Sequence, residues 1–178
     1  MIYIELFFIF SLLLFIFWIG SHLYSSIFYV PYVNASSKAI IDALEFAGLK
    51  KDEILIDLGS GRGDALIIAN KKIGAKSFGW EISPFPYLIS KAKTTTNKNI
   101  KIYYGNFKNG EKMLKEADVV YLYLLNSVLK NIEDWLFASI SAKTRVVTMS
   151  FKFSKHSPIA TKKIKNLGID SNIFLYKK

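Results

Sequence analysis

Within DEILIDLGSGRGD, residues 52 to 64, an acid at Asp57 stands two residues ahead of Gly59, and Gly61 and Gly63 follow at alternate positions. Glycines so spaced let a chain turn sharply and let a ligand approach main-chain atoms, here those of Gly59, Ser60, Gly61 and Gly63, with no Cβ in the way. A second acid, Glu81, ends the run Ser77-Phe78-Gly79-Trp80-Glu81. A carboxylate in that place can accept hydrogen bonds from both hydroxyls of a ribose. Further on, Asn106 and Phe107 follow Ile100 to Tyr104, and Asn106 can both donate to and accept from the edge of a base. Tyr123 and Asn126 stand at the end of another apolar run. These residues imply a nucleotide-like ligand, with chemistry at Tyr123 and Asn126.

The elements that must hold them alternate between strand and helix. Ile54, Leu55, Ile56 and Leu58 give the near-continuous apolar run of a parallel strand covered on both faces, and Asp57 falls at its end. A helix should open after Gly63 and close at Gly74. Residues 77–81 and 100–104 read as the second and third strands, with a helix from Pro84 to about Lys93 between them and a short one near Glu111 to Lys115. Ala117 to Leu125 reads as strand four, Ser127 as the cap of a helix to about Ser139, and Arg145 to Phe151 as strand five. A final hairpin contains Ile173 to Tyr176. This order predicts an α/β fold: a doubly wound, Rossmann-like sheet with helices on both faces. Ligands in such sheets bind outside the carboxyl ends of the strands, which is where the candidate residues fall.

Asp57-Leu58-Gly59-Ser60-Gly61-Arg62-Gly63 resembles motif I of class I S-adenosylmethionine-dependent methyltransferases, and Glu81 resembles their ribose-binding acid. The resemblance implies S-adenosyl-L-methionine as cofactor, Asp57 near its amino-acid end, the glycines along it, and Asn106 and Phe107 at the adenine. At Asn106 many members have Asp instead. No metal is implied.

The first residues read differently. From Ile2 to Ile19 the polar side chains are Tyr3, Glu5, Ser11 and the Trp18 indole, and a helix of this length reaches roughly 27 Å, close to a bilayer core. With Glu5 and no early base, the stretch reads as a retained transmembrane helix in preference to a cleaved signal. Tyr24, Tyr29 and Tyr32 beyond it suit an interface. All 24 Lys and Arg, and 13 of the 14 acids, lie from Lys38 onward, so that part carries a formal +11. The bias favours an outside N-terminus and a cytoplasmic domain. Residues 1–30 then form anchor and interfacial segment, 31–48 a linker (extended over Tyr29 to Val33) and a helix capped by Asn34 or Ser36, and 49–178 the methyltransferase domain. Without cysteine there is no disulfide framework, Cys-based zinc site or thiol nucleophile. His22 and His156 are isolated and read as exposed bystanders.

The anchor, Val30-Pro31, the following helix, motif I, Glu81 and Phe151-Lys152-Phe153 together resemble a narrower family. These are the small membrane-anchored lysine methyltransferases that include the mitochondrial enzymes acting on the adenine nucleotide translocase and the ATP synthase c subunit. That family tends to follow the second glycine with Asp-Gly-Arg, whereas Arg62-Gly63-Asp64 stands here. The resemblance implies a protein-lysine N-methyltransferase whose partners are the membrane and a membrane-associated protein. A pocket formed by Tyr121 or Tyr123 with Asn126 would receive the neutral amine, although both tyrosines also suit core packing. A lipid-like small molecule is an alternative acceptor, and so is RNA or DNA, which the basic charge would favour.

Overall fold

A computed structural model describes residues 2–27 and 34–178. The expected extended stretch from Tyr29 to Val33 lies outside the described residues, as do the side chains of His22 and Tyr24. Helix α1 (Ile2–Ile27) is long and apolar enough to cross a membrane over Ile2–Ser21, and its apolar side chains are exposed. The rest follows as α2 (Ser37–Phe46), β1 (Ile54–Leu58), α3 (Asp64–Ile68), β2 (Lys76–Glu81), α4 (Pro84–Thr94), β3 (Ile100–Tyr104), α5 (Glu111–Leu114), β4 (Val119–Leu122), α6 (Asn126–Ser139), β5 (Arg145–Met149), β6 (Ala160–Asn166) and β7 (Ile169–Lys177).

One seven-stranded sheet runs β3-β2-β1-β4-β5-β7-β6. The first five strands in that order are parallel, β7 is antiparallel to β5, and β6 completes a hairpin. The chain order reverses between β1 and β4, which opens the crevice where ligands of such sheets bind. Each strand alternates between two cores. Leu55, Val119, Tyr121, Val147 and Met149 face α2 and α3, while Ile56, Leu58, Val120, Leu122 and Val146 face α6. Asp57 and Tyr121 are register partners, so period two puts both on the α2 and α3 face, at the carboxyl end.

Local chemistry sets the boundaries. Ser36 caps α2 by accepting from the Ala39 N–H at 3.2 Å. After α3 the chain widens into a π turn over Ala69–Ile73, and Gly74 ends it at φ 84°. β5 stops at Met149, short of the expected Phe151, because Ser150 takes φ 65° and donates its N–H to Asn172 O at 2.8 Å. β4 stops at Leu122, so Tyr123 to Leu125 form a loop over the crevice. Ser127 does not cap α6. The helix begins at Asn126, with Leu125 as its cap, two residues earlier than expected, and no side-chain cap bond. At the start of α4 the Phe85 N–H donates to Ser21 Oγ at 3.0 Å, and the Phe17 and Phe85 rings meet edge to face. The end of α1 is thereby fixed beside the segment that carries Glu81.

The post-β5 loop is held from beneath. Glu133, fully buried on α6, accepts from the N–H groups of Ser154, Lys155 and His156, from Ser154 Oγ, and from the His156 ring. Burial alone would raise its pKa, yet these donors hold it at about 2. His156 stacks on Phe137 with centroids 3.7 Å apart. It is a clamp in this loop, which corrects the reading of an isolated bystander.

Candidate active site

Gly59 and Ser60 leave β1 with their N–H groups both donating to Trp80 O, at 3.0 and 2.9 Å, which presses the glycine turn onto the end of β2. Gly59 has φ 91°, and a Cβ there would stand 2.8 Å from Leu124 Cδ2. The positive φ favours glycine here, and a side chain would also push on Leu124 in the loop after β4. Glu81 lies opposite. Its carboxylate accepts from the Gly61 N–H and the Ser83 N–H, each at 2.7 Å, and so ties the glycine turn to the start of α4. A carboxylate has about four acceptor positions, so two remain for hydroxyl groups.

Asp57 is 3% exposed, and among the described residues no donor reaches its carboxylate. Burial pushes its pKa well above the usual carboxylate range, and the charges of Glu81 and Asp64 push the same way. Such a group gains most from a cation brought in by a ligand. Tyr121 next to it donates to Met149 Sδ at 2.9 Å. Burial raises its pKa well above the usual phenol range, with Asp57 and then Tyr123 adding to the effect.

Two cavities meet at Gly59 and Glu81. One is bounded by Asp57, Ser60, Gly61, Tyr121 and Tyr123, with Ala35 and Ile40 of the α2 segment as its cover. The other, of about 180 Å³, is bounded by Trp80, Ile82, Asn106, Phe107, Val128 and Ile132. Together they make one elongated cleft that is anionic at one end, carries a carboxylate at its middle and is largely apolar at the other end. S-adenosylmethionine has the matching sequence of groups: a charged amino-acid end, a ribose and a flat base. The residues present therefore fit the cofactor.

The expected site residues do not all reach this cleft. Asp57, Gly59, Ser60, Gly61, Glu81, Asn106, Phe107 and Tyr123 border it. Gly63 does not. It caps α3 at φ 76°, donates its N–H to Ser60 O, and packs where a Cβ would come 3.2 Å from Ser90 Cβ and Ile102 Cδ1. The Ser60 hydroxyl is turned inward against Gly79 and has no partner among the described residues. Asn106 uses Oδ1 to accept from the Lys108 N–H at 2.9 Å, which leaves its amide NH2 toward a ligand. Asn126 is exposed and borders neither cavity, because α6 already starts there and turns it to solvent. Asn131, one turn inside α6, borders the second cavity instead. Nothing in the local sequence marks Asn131, since its place depends on how α6 packs beside β2. Arg62 and Asp64, which carry the departure from the narrower family's pattern, line the rim of the first cavity, where Asp64 pairs with Lys93 at 2.8 Å.

Comparison with known proteins agrees with this geometry. The family model for the ANTKMT methyltransferase domain matches residues 57–160. A protein-lysine N-methyltransferase of Saccharolobus islandicus is 31% identical over 154 residues, which covers 83% of this chain and 93% of that protein. The adenine nucleotide translocase lysine N-methyltransferase of Mus musculus is 27% identical over 134 residues, 74% of this chain but 57% of the mouse protein. Among solved structures, an RNA methyltransferase from Salinibacter ruber in complex with S-adenosyl-L-homocysteine superposes with a TM-score of 0.72 at 27% identity, covering 82% of this chain and 93% of that one. A cleft shaped for S-adenosylmethionine, on a sheet of this topology, in a chain matched from Asp57 onward, makes this protein a class I S-adenosylmethionine-dependent methyltransferase belonging to the ANTKMT methyltransferase domain family.

Proposed function

We propose that this methyltransferase is a protein-lysine N-methyltransferase whose acceptor is a membrane-associated protein, with residues 1–30 as anchor and interfacial segment, 31–48 as linker and helix, and 49–178 as the catalytic domain on the cytoplasmic side. The observation that carries the reading is Tyr123, a hydroxyl at the open end of the cleft, on the same face of the sheet as the buried Asp57. The kinship with a lysine methyltransferase along nearly its whole length supports the choice of acceptor.

In this reading Asp57 pairs with the ammonium of the cofactor and Glu81 holds the ribose hydroxyls. The backbone of Gly59 and Gly61 gives close approach, while Asn106 and Phe107 meet the base. When bound, the cofactor supplies a methyl group already activated on a sulfonium. The chain has then to align the nucleophile and strip it of water. Tyr123 can accept a hydrogen bond from a neutral amine and so aim its lone pair, and Ala35 and Ile40 add apolar surface to the first cavity. α1, if seated in a bilayer, brings this opening to the membrane surface, because its end is bonded to α4 beside Glu81.

RNA is the second reading, favoured by the name of the Salinibacter ruber structure and by the +11 carried from Lys38 onward. The two separate in one experiment. Methyl-labelled S-adenosylmethionine is incubated with the protein and membranes of the native host, and protein, lipid and RNA fractions are counted. Label in protein, absent with Asp57→Asn, is the expected result; label confined to RNA or lipid overturns the lysine reading.

A further inference from the structure

Asn166, near the end of β6 and 7% exposed, joins three segments around the open end of the cleft. Its Oδ1 accepts from the Ser36 N–H at 2.8 Å, ahead of α2. Its Nδ2 donates to Tyr123 Oη at 3.0 Å and makes a longer contact of 3.5 Å to Asn34 O. The orientation of the amide is settled by chemistry. A backbone N–H can only donate, so the atom facing Ser36 is the oxygen and the atom facing Tyr123 is the NH2. Tyr123 Oη is therefore an acceptor toward Asn166, and keeps its own proton and a second lone pair for another group.

Tyr123 also borders a second space. Behind the cleft lies an open groove of about 520 Å³ between the end of β4, Ser150 and the β6–β7 turn. Its less exposed lining is polar, with Ser150, Asn166, Ser171 and Asn172. The rim is apolar. Leu167 and Ile169 are 62% and 73% exposed, and Leu167 sits at φ 52° in a turn where Asn or Gly is the usual choice. Among the described residues no Lys or Arg lines the groove, in a part of the chain that carries +11, and the one charged residue among them is Asp170.

We infer that this groove receives the acceptor as a primary amine on a flexible aliphatic stem, and that Asn166 is a positioning residue that holds the Tyr123 hydroxyl where the amine meets the cofactor cleft. Exposed Leu167 and Ile169 for the stem, the acid Asp170 beside them for the cationic head on entry, and a polar lining further in suit a lysine side chain with its four-carbon stem. In the transfer the amine nitrogen forms a bond to the methyl carbon as the sulfur–carbon bond breaks. The sulfur keeps the electron pair and becomes a neutral thioether, and the methylated ammonium gives up its surplus proton to solvent through the open groove. The inference rests on the lysine reading above.

Asn166→Asp tests it in the full-length protein. An Asp still accepts from the Ser36 N–H, so α2 stays clamped, but it cannot donate to Tyr123 and instead draws the tyrosine proton to itself. Methyl-lysine formed in native-host membrane proteins is measured after acid hydrolysis, with binding of S-adenosylhomocysteine measured in parallel. The expected result is a fall in kcat of about 10- to 100-fold with cofactor affinity within about twofold. Tyr123→Phe should fall equally, and adding Asn166→Asp to it should cost nothing more, which a purely structural role would not produce. Ile169→Arg at the exposed rim should raise the KM for the protein acceptor and leave kcat unchanged. Methyl-lysine formed by the wild type and, at full rate, by Asn166→Asp overturns this inference alone. No methyl-lysine from the wild type overturns the lysine reading and this inference with it.

Discussion

At the scale of single residues, the fold holds one carboxylate, Asp57, in a buried place where its charge is disfavoured. Asp57 has a folded pKa pushed well above its unfolded value by burial, then by Glu81 and Asp64. A raised carboxylate pKa means that ionisation opposes folding: the folded state is favoured most below the unfolded pKa, and stability is lost as pH rises toward the folded one. Asp57→Asn should therefore raise the melting temperature of the ligand-free protein at neutral pH by a few degrees, while binding of S-adenosylhomocysteine, followed by calorimetry, is lost. A lower melting temperature would contradict the electrostatic account of this residue. That Asp57, Gly59, Gly61 and Glu81 would border one cleft was legible in the sequence because strand-to-turn chemistry is local, whereas Gly63 packs against α4 and β3 instead. The place of Asn126 was not legible, because which residue of a strand-to-helix loop faces the cleft depends on where β4 stops, and that is decided by pairing with β5. Asn131 and Asn166 come from elements distant in sequence and carry no local signal.

At the scale of elements, two devices support the site. Gly79 in β2 lies against the glycine turn, where a Cβ would stand 2.6 Å from Leu66 Cδ1 and 2.7 Å from Ser60 Oγ. Gly79→Ala should cost about 1–3 kcal/mol of stability and weaken cofactor binding as the turn shifts, as measured by denaturant unfolding and calorimetry. Glu133 acts on the far side of the sheet. Its pKa is held at about 2 against an unfolded value of 4.5, so its contribution is complete above the unfolded value and is lost as pH falls toward 2. The shift corresponds to a few kcal/mol. Glu133→Gln should be less stable than the wild type at pH 7, and the gap should close in unfolding curves taken between about pH 4 and pH 2. The strands β1, β2 and β3 and the helices α2 and α4 were readable from apolar periodicity and capping signals. The premature ends of β4 and β5 were not. Ser150 takes a left-handed conformation that its residue type does not announce, and it does so to bond with β7.

At the scale of the whole molecule, the cleft and the N-terminal helix are joined. Ser21 Oγ accepts the Phe85 N–H, four residues beyond Glu81, so the end of the apolar helix lies at the same edge of the sheet as the glycine turn. With α1 in a bilayer, the full-length protein should stay in the membrane pellet after an alkaline carbonate wash; release into the supernatant would place α1 outside the bilayer. A doubly wound sheet with helices on both faces and a terminal hairpin were expected from the alternation of elements, whereas the place of that hairpin as antiparallel strands beside β5 was not. The union of α1 with α4 was not, since a long apolar helix shows by composition how it meets lipid but not which helix end it meets. The most direct measurement is mass spectrometry of native-host membrane proteins after incubation with S-adenosylmethionine and either the wild type or Asp57→Asn. Methyl additions are expected on lysine side chains with the wild type and none with the variant. Methyl groups on nucleosides or lipids, with lysines unmodified, would contradict the lysine reading.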